Sequence, residues 1–131
     1  MAIKQNASRQ ELIVAHLTIN HNDPVIGTAE NAIDLPGNAV VVGGDIVVTT
    51  PWNNVTTATL TLGDAASANR YANAVDLKTA ARTALTVTGF THALAESLKA
   101  LVAQAGTAPT AGSARVTLQY YVIGRSAFTQ D

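Results

Sequence analysis

The sequence has no cysteine, which excludes disulfide bonds, thiol catalysis and cysteine-ligated zinc sites together. Charged side chains are also scarce, since they make up 13% of the 131 residues, against about a quarter in an ordinary protein. Eight Lys and Arg residues oppose nine Asp and Glu residues, so the chain lacks the basic surface that nucleic-acid binding needs. We therefore expect no nucleic-acid partner.

Long apolar runs are absent as well. The longest, such as Leu12–Ala15 and Ala39–Val42, are far shorter than the about 20 residues of a membrane-spanning helix, so we expect no membrane partner. Aromatic residues are few, with one Trp, three Tyr and two Phe. Alanine, threonine and valine dominate instead, and the last two favour strands. A chain so poor in charge is expected to bury part of its surface against other protein.

The order of polar and apolar segments indicates one domain with an arm. Residues 1–10 are polar and predict a flexible N-terminal arm, while residues 11–131 have the length of a single domain. Within Glu11–Asn20, the Ile13 face is wholly apolar and should point inward, which places His16 on the outer face. Thr56–Leu62 alternates in the same way.

Two segments leave alternatives open. Gly43 and Gly44 could form a bulge that bends one long strand over residues 39–50. Residues 92–105 carry leucine and valine at helical spacing, but a strand there, paired with residues 115–123, is the alternative. With six to eight short strands between turn signals, the sequence predicts an all-β chain. Its expected architecture is an antiparallel β-sandwich, or jelly-roll-like, single domain.

No motif in the sequence predicts chemistry. His16, His21 and Asp23 could supply metal ligands in principle, but positions 16 and 21 point to opposite faces of a strand. We expect the histidines, including His92, to lie in solvent or in loops. No nucleophile elbow, phosphate-binding loop, dinucleotide fingerprint or HExxH motif occurs. We therefore expect no catalytic residues, no metal and no cofactor.

Candidate partner-binding residues follow from expected exposure. Trp52 is either a core side chain or an interface anchor, and the sequence leaves both open. An arginine in this chain is either an ordinary ion-pair or surface residue or, because its fork binds carboxylates and carbonyls, a subunit contact. The candidates lie in the arm, at one strand end and in one loop: Ile3, Lys4, Gln5 and Arg9; Trp52, Asn53 and Asn54; Arg70 and Tyr71.

Several segments occur in an order that is typical of one protein family. They are Asp34–Gly44 (DLPGNAVVVGG), Thr59–Asp64 (TLTLGD), Asn69–Tyr71 (NRY), Val75–Arg82 (VDLKTAAR), Ala108–Gly112 (APTAG) and Tyr120–Arg125 (YYVIGR). This pattern resembles small virion proteins of tailed bacteriophages that look like head decoration, or cement, proteins. The resemblance covers roughly residues 25–126. It also implies a strand near residues 98–104, opposite the YYVIGR strand, and we predict a strand there.

The resemblance implies a structural role without chemistry. Such proteins are made in the cytoplasm of the bacterial host and sit on the outer capsid surface, commonly as homotrimers that bridge neighbouring major capsid subunits. Repeated weak contacts on a lattice give large avidity. Two other functions remain open. One is a neck, tail or fibre-base protein of the virion, and the other is a glycan-binding module, whose aromatic platform would need Trp52, Tyr71 or Tyr121.

Overall fold

The computed structural model describes residues 8–124 and 126–129. The regular structure of these residues consists of strands, without a helix. The strands are β1 (Ser8–Gln10), β2 (Ile13–Asn20), β3 (Ala29–Leu35), β4 (Ala39–Thr50), β5 (Thr57–Gly63), β6 (Ala72–Asp76), β7 (Arg82–Ala84), β8 (Thr91–His92), β9 (Glu96–Ala105), β10 (Ser113–Val122) and β11 (Ser126–Thr129). Within this part of the chain, no helix is long and apolar enough to cross a membrane.

The strands form two main antiparallel sheets. Sheet 1 has the order β2-β10-β4-β7, and β8 also pairs with β4. Sheet 2 has the order β3-β9-β5-β6. One continuous apolar core combines buried side chains from both sheets, such as Ile46 and Val116 of sheet 1 with Leu60 and Leu98 of sheet 2. The predicted all-β sandwich is confirmed.

The two alternating strands have the predicted faces. In β2, the Ile13 face is turned toward the core and Ile19 is 7% exposed, whereas His16 lies on the exposed face. In β5, Ala58, Leu60 and Leu62 are fully buried. The alternation of residues therefore predicted the buried face of each strand correctly, because each strand has one face in the core and one outside it.

The residues from Ala39 to Thr50 form one long strand, which is one of the alternatives that the sequence left open. The register of β4 against β10 skips Val42, so the bulge lies immediately before the paired glycines. Gly44 has a φ of +143°, and a Cβ atom there would lie 2.2 Å from the Thr117 carbonyl oxygen. Only glycine allows β4 to approach β10 this closely.

The ambiguous segment is a strand, β9, which confirms the prediction near residues 98–104. The predicted pairing with residues 115–123 is wrong. β9 instead lies between β3 and β5 in sheet 2, while β10 lies between β2 and β4 in sheet 1. The connection around Gly106 and Gly112 crosses from one sheet to the other, and it therefore does not close a hairpin. β9 has a partner strand on each of its two edges, and this pairing outweighs the helical spacing of its leucines.

The chain ends meet in a third, two-stranded sheet, which we call the terminal ribbon. β1 pairs with β11 in antiparallel fashion, with Arg9 opposite Phe128. The ribbon follows the β2–β10 pair at the end where Ile13 lies opposite Tyr120. Residues 8–10 of the predicted arm thus form a strand, whereas residues 1–7 lie outside the described residues, so the arm stays a prediction.

Candidate functional site

A group of buried and partly buried polar side chains lies where the two sheets meet at one end of the sandwich. We call it the polar clamp: Asp64, Arg70, Tyr71, His92 and Glu96. Asp64 follows β5, Arg70 and Tyr71 precede β6, and Glu96 begins β9, so four members lie in or next to strands of sheet 2. His92 lies in β8, which pairs with β4 of sheet 1. The clamp therefore links the sheets across the core.

Asp64 organises the loop between β5 and β6. Its Oδ1 accepts hydrogen bonds from the backbone N–H groups of Ala66 and Ser67, at 3.0 and 2.8 Å. Its Oδ2 accepts a hydrogen bond from Arg70 Nε at 2.5 Å, and the Asp64 side chain is 1% exposed. The preceding Gly63 is needed for this tight loop, because a Cβ atom there would lie 2.2 Å from the Ser67 carbonyl oxygen.

The pKa of the Asp64 carboxyl reflects opposing effects. Burial raises this pKa, but the hydrogen bonds from Arg70 and Ser67 and the positive charge of Arg70 lower it more. The pKa of Asp64 therefore lies below its ordinary value of 3.8, and the carboxylate stays ionised inside the protein. Arg70 also lies over the Phe90 ring, with its Cζ atom 3.5 Å from the ring centroid.

His92 is fully buried and joins Tyr71 to Glu96. The Tyr71 hydroxyl lies 2.6 Å from His92 Nε2, and His92 Nδ1 lies 3.0 Å from Glu96 Oε2. One neutral tautomer completes this chain, since the Tyr71 hydroxyl then donates to Nε2 while the Nδ1–H group donates to Glu96. The Phe90 ring packs edge-on against the imidazole, at 5.0 Å between centroids. The expectation that the histidines lie in solvent or loops is wrong for His92.

The environment of Tyr71 keeps its hydroxyl neutral. Burial raises the pKa of Tyr71 to about 12; the positive charge of Arg70 opposes this rise, and the negative charges of Asp64 and Glu96 add to it. An unfolded tyrosine ionises near pH 10. The Tyr71 contribution to stability is thus fully present below pH 10 and is lost as the pH rises toward 12.

We expect the Tyr71→Phe substitution to remove this alkaline sensitivity. The wild-type protein should lose about 2–3 kcal/mol of its unfolding free energy between pH 10 and 12 through Tyr71, and the variant should lack this loss. Chemical denaturation across that pH range measures the difference. A phenol absorbance titration gives the control, since one phenol with a pKa near 12 should disappear in the variant. Equal alkaline slopes in both proteins would contradict the prediction.

The polar clamp has the spacing of a metal site, but its ligand atoms are already engaged. One ligand atom each from Asp64, His92 and Glu96 lies within 4.8 Å of the others. Asp64 Oδ2, however, holds the Arg70 guanidinium, and both ring nitrogens of His92 have partners. A cation would sit beside that guanidinium, whose charge opposes it. The geometry fits a closed hydrogen-bonded clamp better than a metal centre.

Exposed apolar side chains gather near one end of sheet 1. Leu12 and Val14 are each 54% exposed, while Ile123 and Val42 are 49% and 43% exposed. All four lie near the end of sheet 1 where Ile13 pairs with Tyr120, beside the terminal ribbon. We call them the apolar end of sheet 1. Grouped apolar side chains of this kind are typical of surfaces that contact other protein.

Comparison with known proteins finds similarity in structure. No protein-family model matches the chain, and no curated protein matches it in sequence. A chain of the cyanophage Pam1 capsid asymmetric unit matches with a TM-score of 0.68 and 24% identity, covering 93% of this chain and 92% of that chain. The fold is shared with chains of phage capsids.

Two further phage structures contain the same fold. A chain of the Ralstonia phage GP4 capsid matches with a TM-score of 0.66 and 20% identity, covering 96% of this chain and 92% of its own length. A chain of the acidic stable capsid structure of Helicobacter pylori bacteriophage KHP30 has a TM-score of 0.64 and 18% identity, with coverage of 85% and 87%. In each capsid, the matched chain is thus similar over nearly its full length.

The candidate partner-binding group at the strand end, Trp52 with Asn53 and Asn54, contacts its own chain. Trp52 is 1% exposed, which favours the core alternative. Asn53 accepts hydrogen bonds from the N–H groups of Thr110 and Ala111, and the Asn54 amide donates to the carbonyls of Thr57 and Ala105. This corner therefore holds the loop before β5 against the loop before β10. Its contact with a partner stays a prediction.

The remaining candidates divide between the clamp and the chain start. Arg70 and Tyr71 belong to the polar clamp, and Tyr71 is only 2% exposed. Arg9 lies in β1, while Ile3, Lys4 and Gln5 lie outside the described residues. Because Trp52 and Tyr71 are both buried, Tyr121 alone remains of the three aromatics that we considered for a glycan platform.

Asp64, His92 and Glu96 are the members of the clamp that were not among the candidate site residues of the sequence. The LGD and NRY segments both stood out, but nothing in the sequence places them near His92. The clamp forms only after β8 joins sheet 1 and β9 joins sheet 2. A pairing of this kind has no local periodicity, so hydrophobic patterning could not have found it.

Proposed function

We propose that this chain is a non-enzymatic structural protein of a phage virion, which binds the outer capsid surface and stabilises it. In this proposal it acts as a homotrimer that bridges major capsid subunits. It is made in the cytoplasm of the bacterial host. The observation that carries the proposal is the match, over nearly the full length of both chains, to components of three phage capsids.

The surface chemistry agrees with this role. The protein has few charges, and burial of the exposed side chains at the apolar end of sheet 1 against another protein would be favourable. The most connected polar group is the clamp, which is closed around itself and leaves no free nucleophile beside a base. Binding at many equivalent positions of a capsid lattice requires only weak contacts at each position.

Binding to heads of the source phage that have been stripped of this protein tests the proposal. We expect saturable co-sedimentation at a ratio near one copy per major capsid subunit, measured by gel densitometry, and specific to expanded heads. A few copies per particle would move the protein to the neck, tail or fibre base. An absence of binding would overturn the capsid role and make a glycan array the next test.

The apolar end of sheet 1 provides a matched pair of variants for this assay. Val14→Asp places a charge on the exposed face of β2 and should weaken binding about tenfold or more, because the charge would be desolvated in the contact. Val55→Asp, at a residue that is 74% exposed elsewhere, is the control and should bind as the wild type does. Equal binding by both variants would remove this surface from the proposal.

A further inference from the structure

A cleft opens between the edges of the two sheets. It lies between β2 and β3, has a volume of about 180 Å³, and is lined by Leu17, Ile19, Ala32 and Val102 among others. This volume is comparable to cavities that hold a benzene ring. It therefore has room for one aliphatic side chain.

Both walls of this cleft are edge strands. Among the residues that the structure describes, β2 pairs with β10 alone and β3 with β9 alone, so each has one edge without a partner strand there. Unpaired strand edges offer backbone N–H and C=O groups to an extended segment. A segment that adds to such an edge places alternate side chains into the adjacent pocket. The cleft is thus shaped for an extended chain with an apolar residue.

The mouth of the cleft carries negative charge. Asp23 and Glu30 both line it. Each accepts one backbone hydrogen bond, from Asn20 and Val25 respectively. Neither carboxylate forms an ion pair with any residue that the structure describes. An occupant with a basic residue beside an apolar one would complement this rim.

We propose that residues 1–7 of one copy occupy the cleft between β2 and β3 of a second copy. Met1 and Ile3 are two residues apart, so they share a face in an extended chain. Lys4 is the one charged side chain of this segment, and its sign is opposite to that of the rim. Seven extended residues span about 23 Å, close to the length of β2.

The position of the terminal ribbon favours a second copy over the same chain. β1 and β11 follow the end of sheet 1 where Ile13 pairs with Tyr120. The cleft lies toward the other end of β2, at Leu17–Ile19 and the turn after it. To reach its own cleft, the segment would have to turn back along β2. A neighbouring copy needs no such reversal.

The inference rests on the proposed homotrimer and adds a contact between its copies. It is tested on the free protein, in the absence of phage heads. Because the chain has no cysteine, an introduced cysteine supplies the one thiol of each variant. One tagged protein carries Ile3→Cys and a second, untagged protein carries Ala32→Cys. The control partner carries Ala84→Cys, an exposed alanine of β7 at the other edge of sheet 1.

We expect mixed disulfide dimers to form about tenfold faster with Ala32→Cys than with Ala84→Cys, because docking raises the local thiol concentration toward the millimolar range. Lys4→Glu should abolish this preference, and adding Glu30→Lys to the partner should restore it. Equal rates for both partners would overturn the inference. The charge-swap pair is independent of any effect that Ala32→Cys has on folding.

A chain with both cysteines, Ile3→Cys and Ala32→Cys, separates the remaining outcomes. A covalent ladder ending at trimer supports exchange within the proposed trimer, because a head-to-tail contact that closes forms a ring. A longer ladder supports the exchange and contradicts the trimer, while capsid binding is still judged by co-sedimentation. Disulfides only within single chains would overturn the exchange between copies. If Ala32→Cys were protected from thiol reagents only when the protein is bound to heads, the exchange between copies would also be overturned. The cleft would then hold a segment of a capsid protein.

Discussion

The Trp52→Ala variant should lose about 3–5 kcal/mol of unfolding free energy, the usual cost of truncating a buried tryptophan. Trp52 is 1% exposed, and its ring packs where a Cβ atom at Gly112 would lie 2.5 Å away. For a domain of this size the loss corresponds to a fall in melting temperature of about 10–20 °C. Differential scanning calorimetry or urea denaturation of the purified protein measures it.

Two controls make this result specific. Trp52→Phe should cost less than half as much, because the ring refills most of the space and Trp52 Nε1 has no hydrogen-bond partner among the described residues. Val55→Ala, at a side chain that is 74% exposed, should change stability by less than about 0.5 kcal/mol. If Trp52→Ala were as stable as the wild type but failed to bind heads, the residue would be an interface anchor and not a core side chain.

The Asp64→Asn variant should lose about 2–4 kcal/mol, because it removes one partner of a buried ion pair. The substitution conserves shape, so the lost charge is the main change. Arg70 would keep its position beside a neutral amide, and Asp64 is 1% exposed. Urea denaturation at pH 7 gives the size of the loss.

The pH dependence of this loss identifies its cause. The pKa of Asp64 is lowered in the folded protein, so its contribution to stability is fully present above its unfolded value of 3.8. It is lost as the pH falls through the folded pKa, and the difference between wild type and Asp64→Asn should therefore shrink below about pH 4. A difference that is constant from pH 7 to pH 2 would show that the charge is not responsible.

The protein contains a matched control for this pair. Asp45 and Arg82 form a second Nε–Oδ2 contact, at 2.7 Å, but the Arg82 side chain is 62% exposed. Exposed pairs contribute at most about 1 kcal/mol, so Asp45→Asn should be almost neutral. Equal losses in the two variants would contradict a special role for the polar clamp.

The sequence predicted the elements whose signal is local. The alternation in Glu11–Asn20 and Thr56–Leu62 located both strands and their buried faces, because one face of each lies in the core. Turn residues and paired glycines offered the long strand from Ala39 to Thr50 as one alternative, and the structure has it. The all-β sandwich followed from these elements together.

The parts that the sequence missed depend on distant contacts. β9 was ambiguous because its leucines fit helical spacing, and its true partners β3 and β5 come from two separate earlier segments. The clamp draws Asp64, Tyr71 and His92 from different loops and strands. Exposure of Trp52 was equally undecided, because whether a loop tryptophan is buried depends on the loop that covers it, here the one at Gly112.

The position of β10 has a consequence for how the chain acquires its fold. In sheet 1, β10 lies between β2 and β4, so these two early strands do not pair with each other. β4 can pair earlier with β7 and β8 on its other edge, but the edges of β2 and β4 that face β10 lack their partner until residues 113–122 are made. Loop-closure entropy over such separations makes this pairing slow compared with local hairpins. One edge of β2 and one edge of β4 therefore lack their partner until β10 is made, and a chaperone or a second copy of the chain can contact them before β10 does.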